Sequence, residues 1–209
     1  MRTDLYVTGT DTDVGKTYVT VQLLRELAAA QRVVGMKPVA SGSERIDGVL
    51  RNADALQLMQ ASNVDADYAT VNPYAFAPAI APEYAARDAG VEIEVSVIRQ
   101  AFDTLTQRSD LVLVEGAGGW LSPVTETIDQ ADVARALGIR DVLLVVGMGL
   151  GCVHRARATA RAIEADGFRL KGWIANEAGG DDPDLNNNLQ AIERNLGAAA
   201  YRYFRYEPI

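Results

Sequence analysis

The sequence predicts one α/β domain over residues 1–209, a mostly parallel sheet with helices on both faces. Three observations support this. Apolar runs at residues 5–7, 32–39, 111–114, 142–146 and 170–175 alternate with segments of helical periodicity. Strands without polar alternation are buried on both faces, as in a parallel sheet between helix layers. Lastly, glycine-rich or polar stretches follow these runs directly, at 9–17, 37–41, 115–119, 147–151 and Asn176. In open parallel sheets ligands collect at the carboxyl ends of strands.

Composition narrows the class. A hydrophobic content of 48% and a charged content of 23% fit a soluble globular chain, and 209 residues suffice for a core on both sheet faces. The net charge of −8 argues against nucleic acid or an anionic membrane as a partner. An anionic ligand must then be held by local donors. Cys152 is the only cysteine, which excludes an internal disulfide and leads us to expect a reducing, cytoplasmic setting. Met1-Arg2-Thr3-Asp4 runs straight into the first strand, so no leader is expected, and no apolar run reaches membrane-span length.

In chain order, residues 7–17 read Val-Thr-Gly-Thr-Asp-Thr-Asp-Val-Gly-Lys-Thr, between a strand and an amphipathic helix at 18–30. Strand, glycine-rich turn and helix form the context of a phosphate-binding loop, with backbone N–H groups and the helix N-terminus aimed at one point. Lys16 would reach β/γ-phosphates and Thr17 would ligate the accompanying Mg²⁺. Five residues, one more than usual, separate Gly9 and Gly15; the plainer alternative is an ordinary helix start. A second strand ends in Lys37-Pro38-Val39, residues 40–49 read as a loop, and 52–61 have helical spacing. Residues 68–82 carry three prolines and are expected to form an irregular surface excursion. Helices are expected at 83–89, 94–107, 152–165 and 184–196.

The strand ends carry the candidate chemistry. Lys37 supplies a second cation for a phosphoryl group or an acidic substrate, against the alternative of a surface charge. Glu115, after an apolar strand and before Gly-Ala-Gly-Gly, is placed to hold Mg²⁺; a solvated carboxylate in a flexible turn is the alternative. Asp54 by itself reads only as a favourable charge at a helix start. His154 reads as a helix-surface residue, and Cys152 as a small buried side chain. Trp120 either packs as a lid or lines the cleft.

Together these stretches resemble dethiobiotin synthetase. The resemblance rests on residues 7–17, Lys-Pro-Val-Ala-Ser-Gly-Ser at 37–43, Arg-Asn-Ala-Asp-Ala at 51–55 and Asp-Tyr-Ala-Thr-Val-Asn-Pro-Tyr at 67–74. It continues through Val-Leu-Val-Glu-Gly-Ala-Gly-Gly-Trp at 112–120, Leu-Gly-Cys at 150–152 and Gly-Trp-Ile-Ala-Asn at 172–176. The long phosphate loop is that family's own version, in the deviant P-loop NTPase group.

The resemblance implies that Thr17, Asp54 and Glu115 surround Mg²⁺, and that Asp13, Val14, Gly15, Lys16, Thr17 and Tyr18 wrap the triphosphate of ATP. Lys37, with Lys16, is catalytic; Ser41 and Thr12 face the diamine. Gly116, Ala117, Gly118 and Gly119 run beside diamine and nucleotide, and Asn176 reads the adenine edge. A homodimer is implied, the neighbouring copy's Leu150, Gly151 and Cys152 binding the substrate carboxylate. The implied reaction joins 7,8-diaminopelargonate and CO₂, at the expense of ATP, into dethiobiotin through a carbamate and a carbamic–phosphoric anhydride. No protein nucleophile is required, in keeping with the absence of a Ser-His-Asp or Cys-His arrangement.

The chain departs from the family pattern at Val153-His154-Arg155, where Ile-Asn-His is usual, and at Pro82-Glu83, where Pro-His is usual. The C-terminal Gly-x-Ile-Pro near the adenine is not recognisable in residues 201–209. The alternatives are a partner-binding switch ATPase of the chromosome-partitioning type, a sister amide-forming ligase on a larger cofactor precursor, and a nucleotide binder without turnover.

Overall fold

A computed structural model describes residues 3–178 and 181–205. Met1, Arg2 and the C-terminal part of the 201–209 segment, from Tyr206 on, lie outside the described residues. In order, the elements are β1 (Leu5–Gly9), α1 (Lys16–Leu27), β2 (Val33–Met36), β3 (Val39–Ala40), β4 (Glu44–Ile46) and β5 (Val49–Arg51). Next come α2 (Ala53–Ala61), α3 (Tyr68–Val71), β6 (Tyr74–Ala75), α4 (Pro82–Ala89), α5 (Val95–Arg108) and β7 (Leu111–Gly119). The chain continues through α6 (Gln130–Ala136), β8 (Asp141–Gly147), α7 (Cys152–Ala165), β9 (Arg169–Asn176), α8 (Leu185–Leu196) and β10 (Arg202–Phe204).

The six-stranded sheet has the order β10-β9-β8-β1-β7-β2, every pairing parallel. Its strands divide their side chains by the two-residue period of the pleat. Tyr6, Val112, Val114 and Val142 enter a core with α5 and α6 residues such as Phe102, Leu105 and Val133. Val7, Leu113, Leu143 and Val145 enter the opposite core with Val19, Leu23 and Leu24 of α1. Leu144, Val146 and Trp173 pack against Cys152 and Ala156 of α7 and Ile192 of α8. Helices therefore cover both faces, as the apolar strands predicted. Among the described residues no helix is long and apolar enough to cross a membrane.

Several stretches are more ordered than the sequence suggested. Residues 40–49, expected as a loop, contain β4 and part of β5, an antiparallel hairpin whose two-residue turn has positive φ at Asp47 (50°) and Gly48 (80°). Asp-Gly accepts that backbone at little cost, which favours this tight turn. Residues 68–82, expected as irregular, hold α3 and β6, and β6 pairs with β3 in a separate two-stranded sheet. β7 runs on through Gly119. Helix α6, initiated by a reciprocal Asp129–Asp132 capping box, and strand β10 were not anticipated.

Candidate active site

The turn after β1 is shaped by three glycines that leave no room for a side chain. A methyl at Gly9 would lie 2.6 Å from Val14 Cγ2, and one at Gly147 of β8 would lie 2.7 Å from Val14 Cγ1. Val14 thus plugs the loop down between two strand ends. At Gly15, φ is +82° and a methyl would stand 2.1 Å from Asn176 Nδ2. Asn176, at the end of β9, donates from Nδ2 to the Val14 carbonyl at 2.8 Å and braces the loop from behind. Gly15 caps α1 without any side-chain bond, so the first-turn N–H groups are available to an anion.

Lys16 folds over this loop, its Nζ donating to the Asp11 carbonyl at 3.0 Å. Burial first, then the nearby Lys37 charge, lowers its pKa to about 8. The next residue, Thr17, donates from its hydroxyl to Glu115 Oε1 at 2.7 Å. Glu115 stands opposite Val7 where β7 passes β1 and is fully buried.

Lys37 follows β2, the other neighbour of β7, and is 4% exposed. Its ammonium lies 2.6 Å from Glu115 Oε1 and 2.9 Å from Asp54 Oδ2. Burial opposes the charge on Lys37, but the Glu115 and Asp54 carboxylates outweigh it and hold the pKa above the ordinary value. Burial also opposes the charge on Asp54, and the Lys37 ammonium overcomes it and lowers that pKa. Asp54 reaches this position because Asn52 caps α2, its Oδ1 accepting from the Asp54 and Ala55 N–H groups. Glu115 Oε2 is buried and has no hydrogen-bond partner among the described residues. Thr17, Asp54 and Glu115 thus converge as an oxygen set of the kind a hard divalent cation takes.

These groups open into a cleft of about 760 Å³ lined by Thr12, Asp13, Gly15, Lys16, Thr17, Lys37, Ser41, Asp54, Glu115, Ala117 and Gly118. The Ser41 hydroxyl is buried without a partner among the described residues. Gly118, at φ +71°, would set a methyl 2.4 Å from Ser122 Oγ, which accepts from the Gly119 N–H. Sequence reasoning missed one wall: Ala79, Ile80, Ala81 and Pro82 close the cleft, although their segment reads as surface. Three prolines signalled a fixed path there, without saying where it led.

Other residues singled out from the sequence stand apart from the cleft lining. Tyr18 is half-exposed and meets Phe204 edge-on, with ring centroids 5.5 Å apart. Gly116 lies against Tyr6 and Gln130. Leu150 is fully exposed, Gly151 caps α7, and Cys152 is buried with its thiol pKa pushed up by desolvation. His154 is exposed on α7. Trp120 is buried, donating to Asp166 Oδ2 at 2.7 Å and packing edge-on against Tyr6 and Phe168.

Comparison with known proteins shows the family and the fold. An AAA domain family model matches residues 3–200. An ATP-dependent dethiobiotin synthetase of Xanthomonas oryzae pv. oryzae (strain PXO99A) is 50% identical over 198 residues, covering 94% of this chain and 85% of the relative. Its counterpart from Xylella fastidiosa (strain 9a5c) is 48% identical over 198 residues, covering 94% and 84%. Among solved structures, MinD from Aquifex aeolicus superposes with a TM-score of 0.59 at 15% identity, covering 99% of this chain and 83% of that one. A ParA family ATPase from Chlorobium tepidum TLS gives 0.58 at 14%, covering 98% and 84%. Identities this low speak for the shared P-loop NTPase-like fold alone. Half of all positions shared with the curated relatives, over nearly the whole chain, speaks for more: the chain belongs to the ATP-dependent dethiobiotin synthetase family.

Proposed function

We propose that the protein converts 7,8-diaminopelargonate, CO₂ and ATP into dethiobiotin, ADP and phosphate, as a homodimer in the cytoplasm. The observation that carries this is the cleft in which a phosphate loop, the Lys37–Asp54–Glu115 cluster and the unpartnered Ser41 hydroxyl face one another. One amine of the diamine adds to CO₂ and, on losing a proton, becomes a carbamate. A carbamate oxygen attacks the γ-phosphorus, the bond to the β,γ-bridging oxygen breaks, and ADP leaves. The second amine then attacks the carbonyl carbon of the carbamic–phosphoric anhydride, closes the five-membered ureido ring, loses its proton and expels phosphate.

The chain's part is positioning and charge. Amides of residues 13–18 hold the triphosphate, and Lys16 exchanges its internal carbonyl for phosphate oxygens. Lys37 stands over the transferred phosphoryl group and offsets its developing charge, as a fixed cation in a partly dry site does. Ser41 and Thr12 orient the diamine beside the Gly116–Gly119 backbone. Asn176, with one amide hydrogen on Val14, keeps further hydrogen-bonding capacity for a base edge. Thr17, Asp54 and Glu115 would hold Mg²⁺, which when bound neutralises β- and γ-phosphate charge; the orphaned Glu115 Oε2 supports that fit. The exposed Leu150 and the uncapped start of α7 fit a role of residues 150–152 in binding the substrate carboxylate of a second copy.

The test is incubation of purified protein with diaminopelargonate, bicarbonate and MgATP, followed by mass spectrometry. Dethiobiotin that requires both ATP and bicarbonate is expected. ATP hydrolysis without it, or no turnover by folded protein, overturns the reading.

A further inference from the structure

The Asp-Tyr-Ala-Thr-Val-Asn-Pro-Tyr stretch at 67–74 has no part in the chemistry above, and none of its residues lines the cleft. Its polar side chains nevertheless converge behind the site. The Asn72 side-chain amide, in a residue 2% exposed, donates to the Lys37 carbonyl at 2.6 Å and to the Tyr74 carbonyl at 3.1 Å. Asn72 Oδ1 accepts from the Tyr68 hydroxyl at 2.7 Å. That hydroxyl in turn accepts from the Asn52 backbone N–H, also at 2.7 Å. Asn52, 5% exposed, sends Nδ2 to the Ser41 carbonyl at 3.1 Å and uses Oδ1 to cap α2 at Asp54.

One phenolic oxygen therefore joins two chains of hydrogen bonds. The first ends on the backbone of Lys37, the second on the backbones of Ser41 and Asp54. The Arg51 guanidinium covers the Tyr68 ring, 4.1 Å from its centroid, and burial raises the pKa of the hydroxyl, which keeps it a donor. The phosphate loop belongs to β1 and α1 and receives none of these bonds.

We propose that Tyr68 is a positioning residue: its hydroxyl, through Asn72 and Asn52, fixes the phosphoryl-facing Lys37 relative to the diamine-facing Ser41, so that both reactants meet in register. The assignment of Lys37 and Ser41 rests on the reading under Proposed function. Networks of buried, fully used polar groups specify one arrangement, and a displacement near 1 Å in a reacting pair costs up to about a hundredfold in rate.

The experiment compares the full-length wild type with Tyr68→Phe, Asn72→Asp and the double variant, after thermal melts show each folded. Tyr68→Phe removes only the hydroxyl, and Asn72→Asp removes the donor to Lys37. For each single variant we expect kcat for dethiobiotin to fall about tenfold or more and the KM for diaminopelargonate to rise, with the KM for ATP within about twofold. The double variant loses no more than the worse single one, because both act through one chain of bonds. Amide exchange by mass spectrometry should rise in peptides covering residues 37–43 and 52–55, and stay unchanged at 9–17. Unchanged kcat, equal weakening of ATP and diamine, multiplying losses in the double variant, or exchange that rises everywhere or nowhere overturns the proposal. A wild type that makes no dethiobiotin fails the functional reading instead, and the exchange experiment then still decides on Tyr68.

Discussion

Replacing Lys37 by methionine removes the ammonium and keeps most of the buried apolar stem. The ammonium stands 2.6 Å from Glu115 Oε1. At an effective dielectric constant of about 20, that separation corresponds to about 6 kcal/mol of Coulomb attraction, against which the desolvation of both ions is set. Glu115 is fully buried, and losing the cation of such a pair costs about 3–5 kcal/mol. The Asp54 contact adds little, since that side chain is 40% exposed. The Thr17 hydroxyl stays behind to donate to Glu115, which puts the expected loss near the lower end, about 3 kcal/mol.

Urea unfolding of nucleotide-free wild type and Lys37→Met, without and with excess Mg²⁺, measures this loss. We expect the deficit in metal-free buffer and its partial recovery with Mg²⁺, because a cation that binds only the folded state stabilises it by mass action. Turnover should fall by about 10²–10³, as for other fixed charge-stabilising groups. A metal-free variant as stable as the wild type would refute the charge-balance argument, and near-normal kcat would remove Lys37 from the chemistry.

Three further outcomes are expected. Gly15→Ala should abolish ATP binding by calorimetry while the fold persists, since the methyl collides with Asn176 and the residue must hold φ at +82°; retained affinity would contradict the clash. For Lys16 the unfolded side chain titrates near 10.5 and the folded one near 8, so the unfolded state binds more protons between those values. Nucleotide-free stability should therefore rise with pH from about 8 to 10.5, and ATP affinity should fall above about 8; Lys16→Met losing neither dependence would refute the assignment. Trp120→Phe, deprived of its bond to Asp166, should lose about 1–2 kcal/mol in urea melts, and an unchanged midpoint would count against that bond as a stabiliser.

What could be read from the sequence was whatever depends on local pattern. Continuous apolar runs gave the strands of the sheet, and strand–glycine–helix punctuation located Lys16 and Thr17. Lys37 and Glu115 were legible because each ends an apolar run, but not their contact, which depends on β2 and β7 being neighbours. The Asp47–Gly48 turn carried a hairpin signal, yet β4 and β5 are too short and exposed to show alternation. β10, with Arg202 and Tyr203 exposed, lacks the apolar signature of an inner strand. Tyr68, Asn52 and Asn72 were invisible as a group, because separations of 16 and 35 residues link them and Lys37 only in three dimensions.

The place of β7 between β1 and β2 sets a timetable for synthesis. β1 and β2 emerge from the ribosome early but do not touch; the strand that joins them ends at Gly119. At roughly 5–20 residues per second, the phosphate loop and Lys37 wait several seconds for Glu115. Until then β1 and β2 have no strand to pair with, since β8, the other neighbour of β1, comes later still, the condition in which nascent chains attract chaperones or one another. A ribosome stalled short of residue 119 would hold a nascent chain that carries both lysines and has no site.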